Sequence, residues 1–325
     1  MKAICHARYG SPDVLELKDI DKPVIDDDGV LVRVHAAAAN PLDWRSMRGL
    51  PYIVRMMGLG LRKPRWTGRG VDVAGQVEAV GENVTRFQPA DEVFGGCGGA
   101  FAEYVRGGVQ DFVPKPERLT YEQAAAIPLA GCTALQALRD AAQVQPGQKV
   151  LINGAAGGVG TYAVQIAKAF GANVTGVCST NNVDMVRSIG ANQVVDYTAA
   201  DFAGTGERYD VIVDAVGNRS LSDLRRALAP KGTLVVLGGG RGRLLGPLAQ
   251  MVRARALSPF VGPRLVPLVA KQTQADLMVL CELIEAGKVT PVIDRTFALS
   301  RAAEAMRYLE AGHARGKVIV TVSSS

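Results

Sequence analysis

Apolar positions follow one spacing through the first third of the chain, another through the middle, and a mixture at the end. Up to about residue 122 they fall in short alternating runs separated by Gly, Pro and Asp: Ala3 to Tyr9, Val14 to Lys18, Gly29 to Ala37, Asp72 to Val80, Glu92 to Phe94 and Ala102 to Val105. This pattern predicts a barrel-like, β-rich half. Gly68, Gly70, Gly75, Gly81 and Gly95 crowd its later part, where small residues permit strand crossings and bulges. From Tyr121 the period becomes helical, through Ala124, Ala125 and Ile127 and, after a break at Pro128, Thr133, Leu135 and Leu138. Then strands at Lys149 to Asn153, Asn173 to Cys178, Gln193 to Asp196, Val211 to Ala215 and Thr233 to Leu237 alternate with helices, among them Val183 to Ile189 and Ser220 to Leu228. Such alternation predicts a doubly wound parallel α/β sheet, with one more strand near Phe260. A helix Gln274 to Ala286, a strand Val292 to Phe297, a helix capped by Ser300 and a strand Lys317 to Val322 complete the chain. A sheet already complete has little use for them, so the tail is expected to rejoin the β-rich half. The predicted domains are 1–122 with 268–325, and 123–267.

The first strand-helix junction of the middle region carries the densest signal. Lys149 to Asn153 is followed by glycines at 157, 158 and 160, and Val159, Tyr162, Ala163, Ile166, Ala167 and Phe170 continue at helical spacing. Glycines placed so let the backbone turn tightly, approach a pyrophosphate and pack the helix on the strand, while the helix N-terminus offers unpaired N–H groups to phosphates. The turn predicts a Rossmann dinucleotide cradle, with Ala156, Gly157, Gly158 and Val159 as cofactor-binding residues. The first glycine of the usual fingerprint is Ala155 here, so the bare pattern also fits an ordinary glycine-bearing turn.

Composition narrows the function classes. A chain of 325 residues with 48% hydrophobic and 21% charged residues has the balance of a globular protein of two domains. The net charge of +6 is spread along the chain, so no nucleic-acid partner is expected. No run approaches the roughly 20 apolar residues of a membrane span, and the first ten residues lack the apolar core of a signal peptide. The expectation is a cytoplasmic enzyme with no membrane partner. Five scattered cysteines without a C-x-x-C pair, and three histidines spaced with none of them, predict reduced thiols and no bound metal. His6 and His35 sit in strand-like runs, where a hydrogen-bonded structural histidine is expected.

With the glycine turn placed after a β-rich half, the chain resembles the medium-chain dehydrogenase/reductase superfamily, and within it the zinc-independent quinone oxidoreductase branch. The resemblance is carried by the runs Asn40 to Asp43, Asp72 to Gly75 with Gly81, Asp91 to Gly95, Pro128 to Ala134, Gly154 to Gly160, Asp214 to Gly217 and Gly316 to Val320. Zinc-dependent relatives place a cysteine where Asn40 to Asp43 lie and Gly-His-Glu where this chain has Gly70, Val71 and Asp72. The resemblance implies a GroES-like catalytic domain, formed by the N-terminal part and the tail, with the Rossmann cofactor domain inserted between them. The cleft between the two would hold nicotinamide and substrate. It also implies that Asn40, Thr133, Val216, Gly238 and Lys317 border the cofactor, and a homodimer is expected.

NAD-preferring Rossmann domains end their second strand with a carboxylate that bonds the ribose hydroxyls and repels a 2′-phosphate. Here Cys178 is followed by Ser179, Thr180, Asn181 and Asn182, a neutral corner that favours NADPH. Ser179 and Thr180 equally suit a helix N-cap, and both roles can coexist. The resemblance adds Tyr197 as a phosphate contact and finds Asn182 where many relatives carry a lysine. Without a metal to polarise an alcohol, the chemistry left is hydride transfer to an activated acceptor, a quinone or an α,β-unsaturated carbonyl. The donor to the developing enolate oxygen is expected from Asn40 or from Tyr52, whose ring equally suits packing under its loop; Asp43, on the same loop, is the remaining catalytic candidate. The mixed apolar and basic stretch 50–66 and the basic glycine-rich stretch 238–245 either line the substrate mouth or are an ordinary packed loop and a surface turn. Alternative readings are a zinc-independent alcohol dehydrogenase, an enoyl-thioester reductase, and a cofactor-binding protein with a structural or RNA-binding role.

Overall fold

Strand β3 (Gly29–Ala39) is the spine of the first unit, because every residue in it except Arg33 and His35 is buried. It pairs antiparallel with β4 (Asp72–Val80), β6 (Tyr104–Gly108) and, through Ala36 to Ala39, β15 (Lys317–Thr321). The order is β14-β15-β3-β4-β5-β7, with β5 (Glu92–Gly96), β7 (Phe112–Pro114) and β14 (Ile293–Ala298), while β1 (Lys2–Cys5) pairs β2 (Glu16–Asp19) separately. The alanine run lets flanking strands close from both sides, and Val73, Phe101, Phe112, Met306 and Val318 fill the core around it. The C-terminal tail therefore does rejoin the β-rich half, as β14, α10 (Ala302–Glu310) and β15.

The computed structural model describes residues 1–56, 60–65, 68–204, 206–238, 247–258 and 261–322. Its compact units are Met1–Cys132 with Gln272–Cys281 and Pro291–Ser325, and Thr133–Lys271 with Glu282–Thr290. The first division comes later than residue 122 because α3 (Tyr121–Ala125) packs on β3 and β4, and the N–H of Leu129, in α4 (Pro128–Gln136), donates to Asp72 (3.0 Å).

The second unit alternates β8 (Lys149–Asn153), α5 (Gly158–Ala169), β9 (Asn173–Cys178), α6 (Val183–Ser188), β10 (Gln193–Asp196), β11 (Tyr209–Asp214), α7 (Leu221–Arg226), β12 (Leu228–Val236), α8 (Pro247–Leu257) and β13 (Arg264–Pro267). All pairs are parallel in the order β10-β9-β8-β11-β12-β13, so the winding reverses between β8 and β11. Ligands of such sheets bind beyond the strand ends at that reversal. Val150, Leu151, Ile152, Val211, Ile212 and Val213 are buried, as central strands covered on both faces require.

The structure departs from the pattern in four places. The segment after β3, expected as loop, is helix α1 (Pro41–Arg48) followed by the turn α2 (Tyr52–Val54). Pro41 at its first position and Gly49 in the left-handed region at φ 64° mark its ends. Ser300 does not cap α10, because Leu299–Arg301 forms a 3-10 turn and Arg301 is the cap. The last strand of the parallel sheet lies at Arg264–Pro267; Phe260 and all of the basic stretch after Gly238, 239–245, are outside the described residues. β1 stops at Cys5, short of His6.

Candidate active site and cofactor cradle

The register of three neighbouring strands gathers charge at one end of the first sheet. Ala38 stands opposite Asp72, Ala39 stands opposite Val318, and Asn40 leads from β3 into α1. Lys317 Nζ donates to Asn40 Oδ1 (2.6 Å) and Asp72 Oδ2 (3.1 Å). Asn40 Nδ2 donates to Asp72 Oδ2 (3.0 Å) and the Ala38 carbonyl (3.2 Å). Asp72 Oδ1 takes Gln272 Nε2 (2.8 Å) and the Leu129 N–H. Asp72 is 0% exposed, and Asn40 and Lys317 are 3%. An ion pair this dry persists only because its lone pairs are filled. Both amide hydrogens of Asn40 are thus spent inside the protein. The ammonium has three hydrogens, and the described residues accept two of them.

Asp43, the third residue of α1, accepts the Asn40 N–H at 2.8 Å as the acid of a capping box does, while the Asn40 side chain turns to Asp72 and Lys317. Burial pushes the Asp43 pKa up to about 7; the Asn40 N–H opposes that shift, Asp72 adds to it, and Lys317 and Arg69 oppose it. Arg69 donates to Ser46 Oγ (2.7 Å) and to the ring of buried His6, which is a hydrogen-bonded structural histidine. In the unfolded chain Asp43 ionises near the ordinary value of 3.8, so between there and 7 the folded protein holds the extra proton and loses stability as pH rises. Asp43→Asn keeps the acceptor for Asn40, and it is expected to remove roughly 2 to 3 kcal/mol of the stability lost between pH 5 and 7. Urea unfolding of both proteins at the two pH values measures this; parallel declines would show that Asp43 ionises normally in the fold.

Tyr52 is 41% exposed, and its ring lies 4.8 Å from the guanidinium of Arg55, which also covers Tyr9 at 4.2 Å. Arg55 is fixed by the carbonyls of Gly49 (2.8 Å) and Arg48 (2.9 Å). The Tyr52 ring therefore stacks on a cation, and its hydroxyl bonds no described residue. His35 departs from expectation: it stacks on Tyr121 at 4.2 Å, and its buried Nε2 has no hydrogen-bond partner among the described residues.

In the second unit the glycine turn leaves β8 and is pinned to β9, for the N–H groups of Gly154 (3.2 Å) and Ala155 (3.0 Å) both donate to the Val177 carbonyl. Ala155 replaces a fingerprint glycine because β9 supplies one instead: a Cβ on Gly176 would stand 3.0 Å from the Ala155 methyl. Two glycines of the turn do different work. A Cβ on Gly160 would lie 2.0 Å from the Gly154 carbonyl oxygen, so its bare backbone lets α5 seat on the turn. A Cβ on Gly157 would meet only that oxygen, at 3.4 Å, and otherwise open space. Gly157 is the N-cap of α5, whose first-turn N–H groups have no carbonyl within the helix to accept them. Across the winding reversal, buried Asp214 accepts Asn153 Nδ2 (2.9 Å) and the N–H groups of Val216 (3.2 Å) and Gly217 (3.0 Å). These bonds curl the β11–α7 loop back and leave Val216, 40% exposed, beside Gly154. A bare floor, unpaired donors and an apolar rim fit a dinucleotide pyrophosphate.

Ser179, Thr180, Asn182 and Tyr197 come together at the end of β9. Ser179 Oγ accepts Asn182 Nδ2 (3.0 Å), and the exposed Tyr197 is anchored by its N–H on the Cys178 carbonyl (3.0 Å). The corner is not neutral, however. Asp196 pairs in register with Cys178, and its carboxylate takes the Thr180 hydroxyl (2.6 Å) and the Thr198 N–H (2.9 Å) and hydroxyl (2.7 Å). These bonds, that from Thr180 first, hold its pKa below the usual carboxylate range. Thr133 opens the second unit within α4, and Gly238 lies buried after β12 at φ 105°. Asp72, Asp196, Asp214 and Gln272 escaped the sequence reading as site residues. The three acids share a position, the first or last residue of a strand.

Residues 26–117 match the alcohol dehydrogenase GroES-like domain, and 189–320 match the family described as zinc-binding dehydrogenase. The chain is 32% identical to a chloroplastic quinone-oxidoreductase homolog of Spinacia oleracea, with 98% of each covered. It is 34% identical to the chloroplastic NADPH-dependent alkenal/one oxidoreductase of Arabidopsis thaliana, covering 98% of this chain and 79% of that one. The solved quinone oxidoreductase of Coxiella burnetii superposes with a TM-score of 0.89 at 31% identity, covering 99% of both chains. A GroES-like β unit, a six-stranded parallel sheet wound about its glycine turn, and these end-to-end likenesses place the chain in the medium-chain dehydrogenase/reductase superfamily, in its quinone oxidoreductase branch.

Proposed function

We propose that this oxidoreductase uses NADPH, without zinc, to reduce a quinone or an α,β-unsaturated carbonyl. The Lys317 ammonium, bonded to Asn40 and Asp72, is the observation that carries the reading. At the positions that match metal ligands of zinc-dependent relatives, this chain offers Val71, an amide oxygen already bonded to the lysine ammonium, and the Asp72 carboxylate, both of whose oxygens are already bonded to that ammonium, Asn40, Gln272 and Leu129. A set with no thiolate or imidazole, whose one carboxylate is already paired with an ammonium, does not fit zinc. Among the described residues no group of three or more His, Cys, Asp or Glu side chains is placed to hold a metal.

The Gly157 floor and the first-turn N–H groups of α5 fit the cofactor, which when bound supplies the hydride. The protein's part is then to orient the acceptor and stabilise the negative charge that develops on its oxygen. Asn40 has no amide hydrogen left for that, so the donor is the third hydrogen of Lys317, held in place before reaction by Asn40 and Asp72. Asn40 is a positioning residue, and Asp43 fixes the backbone from which it extends. The exposed Tyr52 hydroxyl is the second candidate donor. The relatives described as quinone and alkenal/one oxidoreductases support the acceptor class.

Nicotinamide oxidation across quinones, enones, aldehydes and enoyl thioesters tests this directly. Turnover is expected with quinones or enones and is expected to persist after dialysis against a chelator. Turnover confined to aldehydes or thioesters, or activity lost with a removed metal, would replace the reading. Salt-sensitive RNA binding without any turnover would overturn it altogether.

A further inference from the structure

We propose that Asp196 is a specificity-determining residue, restraining the preference for NADPH so that the protein also uses NADH. The inference rests on the reading of the second unit as the cofactor site. In a sheet of this winding order the residues after the second strand reach the adenosine ribose. Asp196 lies far from that corner in sequence but opposite Cys178 in the sheet, so its carboxylate joins the corner from the neighbouring strand.

The hydrogen bonds fix what the corner offers a ligand. A hydroxyl has one hydrogen; Thr180 gives its own to Asp196 at 2.6 Å, and its oxygen also lies 2.9 Å from the Thr198 hydroxyl oxygen. With its hydrogen on the carboxylate and one side of its oxygen against Thr198, Thr180 keeps a lone pair, not a hydrogen, for a ligand. A ribose 2′-hydroxyl can donate to it, whereas a 2′-phosphate brings only acceptor oxygens and about two negative charges. That phosphate also meets the Asp196 carboxylate, which the Thr198 N–H and hydroxyl keep in place. Ser179 is arranged the other way: its oxygen accepts from Asn182, so its hydrogen remains to donate to either cofactor. No lysine or arginine stands among residues 179–182 to outweigh the carboxylate. One donor and one acceptor at the same corner make a site that takes both cofactors, and the acceptor exists because Asp196 holds the Thr180 hydrogen.

The test is calorimetric binding of adenosine 2′,5′-bisphosphate and adenosine 5′-monophosphate to the full chain. These fragments report the corner without requiring turnover. Asp196→Asn removes the charge and is expected to raise affinity for the bisphosphate relative to the monophosphate about tenfold. The ratio of kcat/KM for NADPH over NADH should rise with it. Thr180→Val, which deletes the acceptor and keeps the charge, is expected to weaken the monophosphate selectively, and it serves if the Asp196 variant does not fold. A folded Asp196→Asn protein with an unchanged binding ratio would overturn the inference while leaving the cofactor site intact. Failure of the wild-type protein to bind either nucleotide would overturn the cofactor-site reading and this inference together.

Discussion

Gly157→Val is expected to weaken binding of the reduced cofactor at least a hundredfold, roughly 3 kcal/mol, while the protein stays folded. Its backbone, at φ −82° and ψ 174°, is extended and open to any residue, and the new Cβ meets one carbonyl oxygen at 3.4 Å. The isopropyl group then fills the space over the N-terminus of α5, where phosphates need the bare backbone. The loss of a favourable cap costs about 1 kcal/mol, a shift of a few degrees in Tm. Gly160→Val is the contrasting variant. Its Cβ would collide with the Gly154 oxygen at 2.0 Å, so turn and helix must separate and folding is expected to fail. Fluorescence titration and thermal melts on both variants separate the two roles. A folded Gly157→Val protein with wild-type affinity would move the cradle away from this turn.

That difference shows how far the residues announce the site. The glycine turn was legible because local spacing encodes it: a buried strand, glycines at fixed offsets and a helical period all lie within 149–170. The return of the tail was legible by elimination, since the parallel units already complete a sheet. Helix α1 was missed although Pro41, Asp43 and Gly49 carry its start and stop signals, because its two buried side chains, Asp43 and Met47, make no apolar period. The polar cluster lay deeper still. Asp72 and Lys317 are 245 residues apart and meet only through the register of β4 and β15 on β3. Asp196 changes the corner for the same reason, since β10 pairs with β9. Asn40 was found from its family position, but the direction of its hydrogen bonds, which decides its role, depends on partners contributed by distant segments.

Lys317→Met is expected to destabilise the protein by about 3 to 5 kcal/mol, the range for a buried ion pair that loses one member. The cause is not the lost attraction alone. Asp72, fully buried, would lose its cationic partner and be left with only the Asn40, Gln272 and Leu129 donors. Adding Asp72→Asn removes the unpaired carboxyl group, so the double variant is expected to recover part of the loss, and chemical denaturation of all four proteins measures the coupling. A single Lys317→Met variant as stable as wild type would show that the fold does not depend on the pair. The double variant then isolates the chemistry. With folding restored, removal of a preplaced donor to the developing oxyanion is expected to lower kcat by a hundredfold to a thousandfold. Binding of adenosine 5′-monophosphate, which has no nicotinamide, should stay unchanged and would show that the second unit is undisturbed. Wild-type kcat in a folded double variant would take the donor role from Lys317 and give it to Tyr52, whose hydroxyl bonds no other described residue.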